Sequence, residues 1–114
     1  MVCDDDTGIS EVIKIILENN NYNVLTLNTG KAIQKTIKDF KPDVLLLDLW
    51  MPGIDGEEIT KILKREEATK NLPIIVISAL SETAKIAKNS KADDFLPKPF
   101  DMDELLKKVK THTS

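Results

Sequence analysis

Short apolar runs alternate along this chain with longer stretches in which apolar residues recur every three or four positions. The clearest run is Val44 to Leu47, bounded by Pro42 before it and by Pro52-Gly53 after it. A run this short, apolar on both faces, is typical of a strand buried inside a parallel sheet. The pattern predicts four further strands, at Met1–Cys3, Asn23–Leu27, Ile74–Ile77 and Asp94–Pro97.

A predicted helix follows each strand, because the apolar residues there recur at the spacing of one helix face. The first helix is expected to be capped by Asp6 or Thr7 and to end at Asn19–Asn21. The fourth runs from about Glu82 to Asn89, and the last from about Met102 to Lys110. The residues expected on the inward faces are Ile9, Val12, Ile13, Ile16 and Leu17, then Ala32, Ile33, Ile37 and Phe40, then Ile59, Ile62 and Leu63, then Ala84, Ile86 and Ala87, and finally Met102, Leu105, Leu106 and Val109. Ile15 falls outside the first stripe and is the better candidate for an exposed apolar contact.

The regular alternation of strand and helix predicts a single α/β domain over residues 1–114. Alternation of this kind gives a parallel sheet with helices on both faces and right-handed crossovers. Among doubly wound folds, five strands suit the flavodoxin-like (βα)5 arrangement, with sheet order 2-1-3-4-5. In that order strands 1, 3, 4 and 5 are neighbours.

Composition and charge exclude several classes of protein. The net charge of the 114 residues is −3, which argues against nucleic acid as the main partner. No apolar run approaches a membrane span, and no signal-like segment opens the chain, so a cytoplasmic protein is expected. The only cysteine, Cys3, is interpreted as a small core residue, and the only histidine, His112, as solvated surface.

Polar residues stand at the carboxyl ends of four predicted strands: Asp4-Asp5, Asp48, Ser78 and Lys98. In open α/β sheets these ends meet in one crevice. Singly, each residue could be an ordinary helix cap or surface turn; their joint placement favours a functional site. Three carboxylates and one lysine leave a charge of −2, which a divalent cation such as Mg²⁺ would balance. Such a site can accept a phosphoryl group, with Asp48 as a carboxylate nucleophile.

These residues resemble the receiver domain of two-component response regulators, in the single-domain form of chemotaxis and sporulation-relay proteins. The resemblance spans nearly the whole chain. Its motifs are Asp4-Asp5, Leu47-Asp48-Leu49, Met51-Pro52-Gly53, Asp55-Gly56, Ser78-Ala79 and Lys98-Pro99-Phe100.

The resemblance implies a specific set of roles. Asp48 would take a phosphoryl group from a histidine kinase or histidine phosphotransfer protein, in a reaction that needs Mg²⁺ or Mn²⁺. Asp5, Asp48 and the main-chain oxygen of Trp50 would bind the metal directly, and Asp4 through water. Ser78 and Phe95 would form the switch pair, while Lys98 contacts the phosphoryl group. The chain would then be no enzyme in the usual sense. It would be a phosphorelay switch that assists its own phosphorylation and slow dephosphorylation, acts as a monomer or weak dimer, and docks on an unidentified protein target.

Three alternatives stay open. A haloacid-dehalogenase-like phosphotransferase also uses an Asp nucleophile and Mg²⁺, but it needs a second acid where this chain has Trp50. A degenerate receiver used only for binding is disfavoured by the intact Asp5, Asp48, Ser78 and Lys98. A receiver excised from a hybrid kinase or multidomain regulator would fit the short first strand.

Two departures from the family pattern, at Lys91 and Trp50, and one motif that agrees with it lead to further expectations. Lys91 stands where the family usually has glycine, so we expect it to adopt a positive φ. The Lys98–Pro99 peptide bond is expected to be cis. Trp50 and Leu80 should overhang the acceptor and shield it from water, which would lengthen the life of the phosphorylated state. The alternative is that Trp50 lies flat on the surface or contributes to a partner interface.

Overall fold

The computed structural model describes residues 1–51, 55–79 and 83–113. In these ranges five strands alternate with five helices. The strands are β1 (Val2–Cys3), β2 (Thr26–Leu27), β3 (Leu45–Asp48), β4 (Ile74–Ser78) and β5 (Asp94–Pro97). The helices are α1 (Thr7–Glu18), α2 (Ile33–Phe40), α3 (Gly56–Arg65), α4 (Thr83–Ser90) and α5 (Met102–Thr113).

All strand pairings in the sheet are parallel, and the strand order is β2-β1-β3-β4-β5, as the sequence predicts. Val2 pairs with Thr26 on one side and with Leu46 on the other, so the two-residue strand β1 has a neighbour on both sides. Both Val2 and Cys3 are fully buried, which confirms Cys3 as a core residue. The flavodoxin-like α/β architecture is thereby confirmed.

The sheet separates two groups of core side chains, because successive strand residues point to opposite faces. Leu45 and Leu47 of β3 face α2, α3 and α4, where Ile37, Leu63 and Ala87 pack against them. Leu46, in the same strand, faces the other layer, formed by α1 and α5. The principal buried helix residues of that second layer are Ile13, Leu17, Leu105 and Val109.

Two predicted elements begin later than expected. β2 starts at Thr26 rather than Asn23, and α2 starts at Ile33 rather than near Thr29. Ala32, predicted to face inward, is exposed, since it precedes α2 in a left-handed conformation with φ of 63°. The backbone there turns into the helix instead of continuing it, which moves the side chain off the inward stripe.

The inward stripes of α1 and α5 are narrower than predicted. Val12 and Met102 are 55% and 57% exposed, so the expectation that they are buried is wrong. Ile15 is exposed, as predicted. His112 belongs to α5, which continues to Thr113, and its imidazole is half-buried against Asp94 rather than solvated.

Lys91 has a φ of 64°, which confirms the expected left-handed residue after α4. The Ala92 N–H bonds the Ala87 carbonyl oxygen and the Lys91 N–H bonds that of Lys88, the two bonds of a Schellman motif. The Lys98–Pro99 bond is cis, as predicted.

Within the described ranges, no helix combines the length and the apolar character that crossing a membrane requires. The turn at Pro52-Gly53, Leu80 and the expected helix start at Glu82 lie outside the described residues.

Candidate functional site

Asp48 ends β3, one of the three central strands of the sheet. It pairs with Ile77 of β4, and the next residue, Leu49, donates its N–H to the Ile77 carbonyl oxygen at 2.9 Å. The Asp48 residue is 5% exposed, although it carries an ionisable group. The four aliphatic residues before it place it there, because they fix β3 in the interior and leave the carboxylate at the strand's end.

Asp4 and Asp5 follow β1 and bring two more carboxylates to the same edge of the sheet. One carboxylate oxygen from each of Asp4, Asp5 and Asp48 can be chosen so that all three lie within 4.8 Å of one another. Asp4 is fully buried, whereas Asp5 is exposed. The Asp6 N–H donates to Asp4 Oδ1 at 2.9 Å, which holds the Asp4 side chain in the crevice.

Lys98 comes directly after β5 and completes the cluster. Its Nζ lies 3.1 Å from Asp4 Oδ2 and 3.6 Å from Asp48 Oδ2. Its backbone N–H donates to the carbonyl oxygen of Ser78 at 2.8 Å. The ammonium group therefore lies between Asp4 and Asp48. This agrees with the prediction that Lys98 stands at the end of a strand in the same crevice.

The buried acids and the lysine shift one another's protonation. Burial raises the pKa of Asp48 to about 6; the N–H of Trp50 opposes this rise, the charge of Asp4 adds to it, and the charge of Lys98 opposes it. Burial alone would lower the pKa of Lys98, but its hydrogen bond to Asp4 and the charge of Asp48 outweigh burial and raise it. Lys98 is therefore charged at neutral pH. Further positive charge close to Asp48 would lower this pKa and favour the ionised carboxylate.

Ser78 and Phe95, the predicted switch pair, lie on the neighbouring strands β4 and β5. Ser78 is buried at the end of β4, in register with Pro97 of β5. Phe95 is half-buried and pairs with Val76. The Lys108 Nζ lies 5.3 Å from the centroid of the Phe95 ring.

Trp50 lies two residues beyond Asp48 and is 63% exposed. Its N–H donates to Asp48 Oδ1 at 3.3 Å, so the backbone at Trp50 belongs to the site. The indole borders a small cavity of about 270 Å³, whose other lining residues are Leu49, Asp55, Glu57 and Ile86. Leu80, its expected partner in shielding Asp48, lies outside the described residues.

One supporting residue escaped the sequence analysis. Asn28 follows β2 and donates from Nδ2 to the backbone oxygen of Asp4 at 2.9 Å and to Ser10 Oγ at 3.0 Å. It ties the β1–α1 connection, which carries the acidic pair, to the end of β2. The signal was present, since Asn28 is a polar residue at the carboxyl end of a strand, like the residues that were singled out.

The donor set of the crevice fits a hard divalent cation. The three carboxylates supply oxygen atoms, which Mg²⁺ and Mn²⁺ prefer, and they stand close enough to share one ion. Their charge of −3 is only partly balanced by Lys98, so an excess of −2 is left. A bound divalent cation would remove that excess and stabilise the ionised form of Asp48.

A doubly wound α/β domain with clustered acids and a lysine at the carboxyl ends of its strands is the arrangement of a receiver. The family model described as the response regulator receiver domain matches residues 1–110. The chain therefore belongs to the receiver domain family of two-component response regulators. Receiver domains are phosphoacceptor signalling domains and are generally not classed as enzymes.

Two curated relatives and two solved structures illustrate the similarity. The chain is 35% identical over 112 residues to the DNA-binding dual master transcriptional regulator RpaA of Synechocystis, covering 96% of this chain and 46% of RpaA. It is 36% identical to the phosphate regulon transcriptional regulatory protein PhoB of Pseudomonas aeruginosa, covering 96% of this chain and 49% of PhoB. The chain thus spans about half the length of these relatives.

The solved structures are similar over almost their full length. A response regulator signal receiver domain from Bermanella marisrubri superimposes with a TM-score of 0.90 at 30% identity, covering 99% of this chain and 95% of that one. The receiver domain of Francisella response regulator 1452 gives a TM-score of 0.87 at 35% identity, covering 98% and 93%. The shared fold thus extends from the first strand to the last helix.

Proposed function

We propose that Asp48 accepts a phosphoryl group from the phosphohistidine of a histidine kinase or phosphotransfer protein, and that this changes the protein's docking surface. One observation carries the proposal. A nearly buried carboxylate at the end of a central strand lies among two further carboxylates and a lysine. Family membership supports the same chemistry.

The proposed transfer makes one bond and breaks one bond. An oxygen of the ionised Asp48 carboxylate forms a bond to phosphorus, and the phosphorus–nitrogen bond to the donor histidine breaks. The imidazole keeps the electron pair of that bond and takes up a proton. In the later hydrolysis a water oxygen bonds to phosphorus, the bond between phosphorus and the Asp48 oxygen breaks, and inorganic phosphate leaves.

Asp5, Asp48 and the main-chain oxygen of Trp50 would hold Mg²⁺ or Mn²⁺ directly, with Asp4 acting through water. When bound, the cation supplies positive charge against the phosphoryl oxygens. Asp4 forms an ion pair with the Lys98 ammonium and so keeps it beside Asp48. From there the ammonium could turn towards an oxygen of a phosphoryl group on Asp48. Ser78 would donate its hydroxyl to another phosphoryl oxygen, and Phe95 would then turn inward behind it.

Intact-mass measurement after incubation with acetyl phosphate tests the acceptor. We expect the mass of one phosphoryl group to be added in the presence of Mg²⁺ and not in the presence of excess chelator. Asp48→Asn should abolish the addition. Asp43→Asn, at an exposed aspartate before β3, is the matched control and should react like the parent. An equal mass shift in Asp48→Asn would show that another residue is the acceptor.

The upstream partner is proposed to dock on a groove between α1 and the start of α5. The groove has a volume of about 570 Å³ and lies beside the acceptor, since Lys98 forms part of its wall. Its apolar lining includes Ile9, Val12, Phe100 and Met102. An apolar groove can receive the apolar face of an amphipathic helix, and we propose that the partner presents such a helix here.

Two exposed aliphatic residues of α1 provide a matched test. Val12 lines the groove, whereas Ile15, on the same helix and similarly exposed, does not. Val12→Lys should slow phosphotransfer from a panel of purified phosphorylated kinases about tenfold or more while leaving the acetyl phosphate reaction unchanged. Ile15→Lys should leave both reactions unchanged. Equal slowing by the two variants would place the docking surface elsewhere on α1.

A second candidate concerns the output. The relatives RpaA and PhoB are named as transcriptional regulators and are about twice as long as this chain. The first possibility is a receiver that docks alone on its target, as a monomer or weak dimer. As the alternative, we propose a receiver that regulates an attached output domain. The mass of the polypeptide purified from its source cells distinguishes the two.

A cytoplasmic location is proposed on the basis of family membership.

A further inference from the structure

Charged side chains from β5 and α5 form a cluster beside Phe95, and the proposed phosphoryl site does not use this cluster. Lys108 Nζ lies 2.7 Å from Asp94 Oδ1, and His112 Nε2 lies 3.2 Å from Asp94 Oδ2. The Phe95 N–H also donates to Asp94 Oδ1 at 2.8 Å. One carboxylate thus gathers a lysine, an imidazole and the backbone of Phe95 itself.

The position of Lys108 over the ring follows from the order of the strands. β5 is an edge strand, so a side chain from α5 can reach around it. The Phe95 side chain packs with the residues of the α2–α3–α4 layer, whereas α5 belongs to the other layer. Lys108 therefore crosses the edge of the sheet and places its ammonium 5.3 Å from the ring centroid, within the range of a cation–π contact.

We propose that Lys108 holds Phe95 in its half-exposed position and so opposes its inward turn, with Asp94 as the residue that positions Lys108. This inference rests on the proposed function, because Phe95 acts there as the aromatic member of the switch pair. Lys108 would then set how readily the unphosphorylated protein visits the switched conformation.

Three features of the cluster support this role. The Lys108 side chain is only 27% exposed, so solvent weakens its contacts less than those of a free surface lysine. Asp94 restrains the ammonium by a short ion pair, which removes much of the freedom that a lysine has to leave the ring. Burial alone would raise the pKa of Asp94, but the hydrogen bonds from Lys108, the Phe95 N–H and His112 outweigh burial and lower it, so the carboxylate stays ionised at neutral pH.

Fluorine NMR of protein labelled with fluorophenylalanine tests the proposal. The chain has three phenylalanines, so the Phe95 signal can be assigned with Phe95→Tyr. The measured quantity is the ratio of switched to unswitched Phe95 in the unphosphorylated protein, with the switched signal defined by the protein phosphorylated with acetyl phosphate. Lys108→Met, which keeps the apolar stem and removes the charge, should raise this ratio about two- to fivefold.

Matched variants distinguish the proposed contact of Lys108 with Phe95, called the latch below, from a general loss of packing. Lys108→Arg keeps a cation over the ring and should stay near the parent ratio. Lys107→Met removes an exposed lysine from the same helix and should also leave the ratio unchanged. Lys108→Gln replaces the methionine variant if that variant folds poorly. A ratio in Lys108→Met equal to that in Lys107→Met would overturn the proposal.

The positioning role of Asp94 is tested by a double-mutant cycle. Asp94→Asn should raise the ratio in the same direction as Lys108→Met, and the double variant should show no further rise, because both substitutions remove the same contact. Fully additive effects would show that Asp94 does not act through Lys108. If the parent protein takes up a phosphoryl group on Asp48 and Phe95 does not move, the switch role of Phe95 fails, and the latch with it. If Phe95 moves and the Lys108 variants match the parent, only the latch fails.

Discussion

Lys98 Nζ lies 3.1 Å from Asp4 Oδ2, although the two residues are 94 positions apart in the sequence. This ion pair joins the end of β1 to the end of β5 in one crevice. Asp4 is fully buried, so this ammonium is the main compensation for its charge. The pair therefore has two functions in the molecule. It joins two groups of the charged cluster, and it keeps a positive charge next to Asp48.

Lys98→Met should accordingly destabilise the protein in the absence of divalent cations, by about 3 kcal/mol, because it leaves a buried carboxylate unpaired. Added Mg²⁺ should restore part of this loss, since the cation compensates the same carboxylates. Urea unfolding with Mg²⁺ and with chelator measures both effects. A variant whose stability gained no more from Mg²⁺ than the parent's would contradict this account.

The affinity for Mg²⁺ should depend on pH through Asp48. Its pKa, raised to about 6 in the free protein, means that below this pH the carboxyl group carries a proton that a cation must displace. Apparent affinity should fall by up to about tenfold per pH unit below 6 and level off above 7. Titration followed by the fluorescence of Trp50, the only tryptophan, provides the measurement. In Asp48→Asn the affinity should be weaker, and this dependence on pH should be lost.

Gly56 should not tolerate a side chain. A Cβ atom there would stand 2.6 Å from Leu49 Cα and 2.8 Å from the Leu49 carbonyl oxygen, so the backbone next to Asp48 would have to shift. Gly56→Ala should lower the free energy of unfolding by about 2–3 kcal/mol and slow phosphorylation. Gly8→Ala is the control, since its Cβ would meet only Asp6 Oδ1 at 3.3 Å and alanine favours the helix. Equal stability of the two variants would refute the close approach at Leu49.

Lys91→Gly should stabilise the protein by about 0.5–1 kcal/mol, because glycine adopts the observed φ of 64° without the steric penalty of a Cβ. Lys88→Gly, inside α4, should instead destabilise it by about 1 kcal/mol. Thermal unfolding of the two variants gives the comparison. Destabilisation by both would mean that the lysine side chain at position 91 contributes more than its backbone costs.

Trp50 is expected to prolong the phosphorylated state by excluding water from Asp48. Trp50→Asn should shorten that lifetime roughly tenfold or more, since an amide can orient the attacking water, and Trp50→Phe should stay close to the parent. Combining Trp50→Asn with Leu80→Glu should shorten it further. Decay of the phosphoryl mass after removal of acetyl phosphate gives the rates. Unchanged decay in the double variant would leave Trp50 to serve as a contact for a partner.

The sequence was sufficient to predict the order of elements, the sheet and the positions of Asp4, Asp5, Asp48 and Lys98, because all of these depend on local pattern and on the topology of parallel sheets. Contacts between side chains that lie far apart in the sequence could not be predicted from the local pattern. His112 was expected in solvent because nothing near it in sequence pairs with it, whereas its partner Asp94 lies on another element. The close approach of Gly56 to Leu49 likewise has no local signal.

The division of the core by the sheet has a consequence for how such a domain diversifies. The core side chains behind the α1–α5 groove and those beneath α4 belong to separate clusters that share no residue. Substitutions that reshape the α1–α5 groove, the proposed docking site, can therefore accumulate in one layer without repacking the other. Duplicated copies of such a gene could acquire new inputs while keeping the same response.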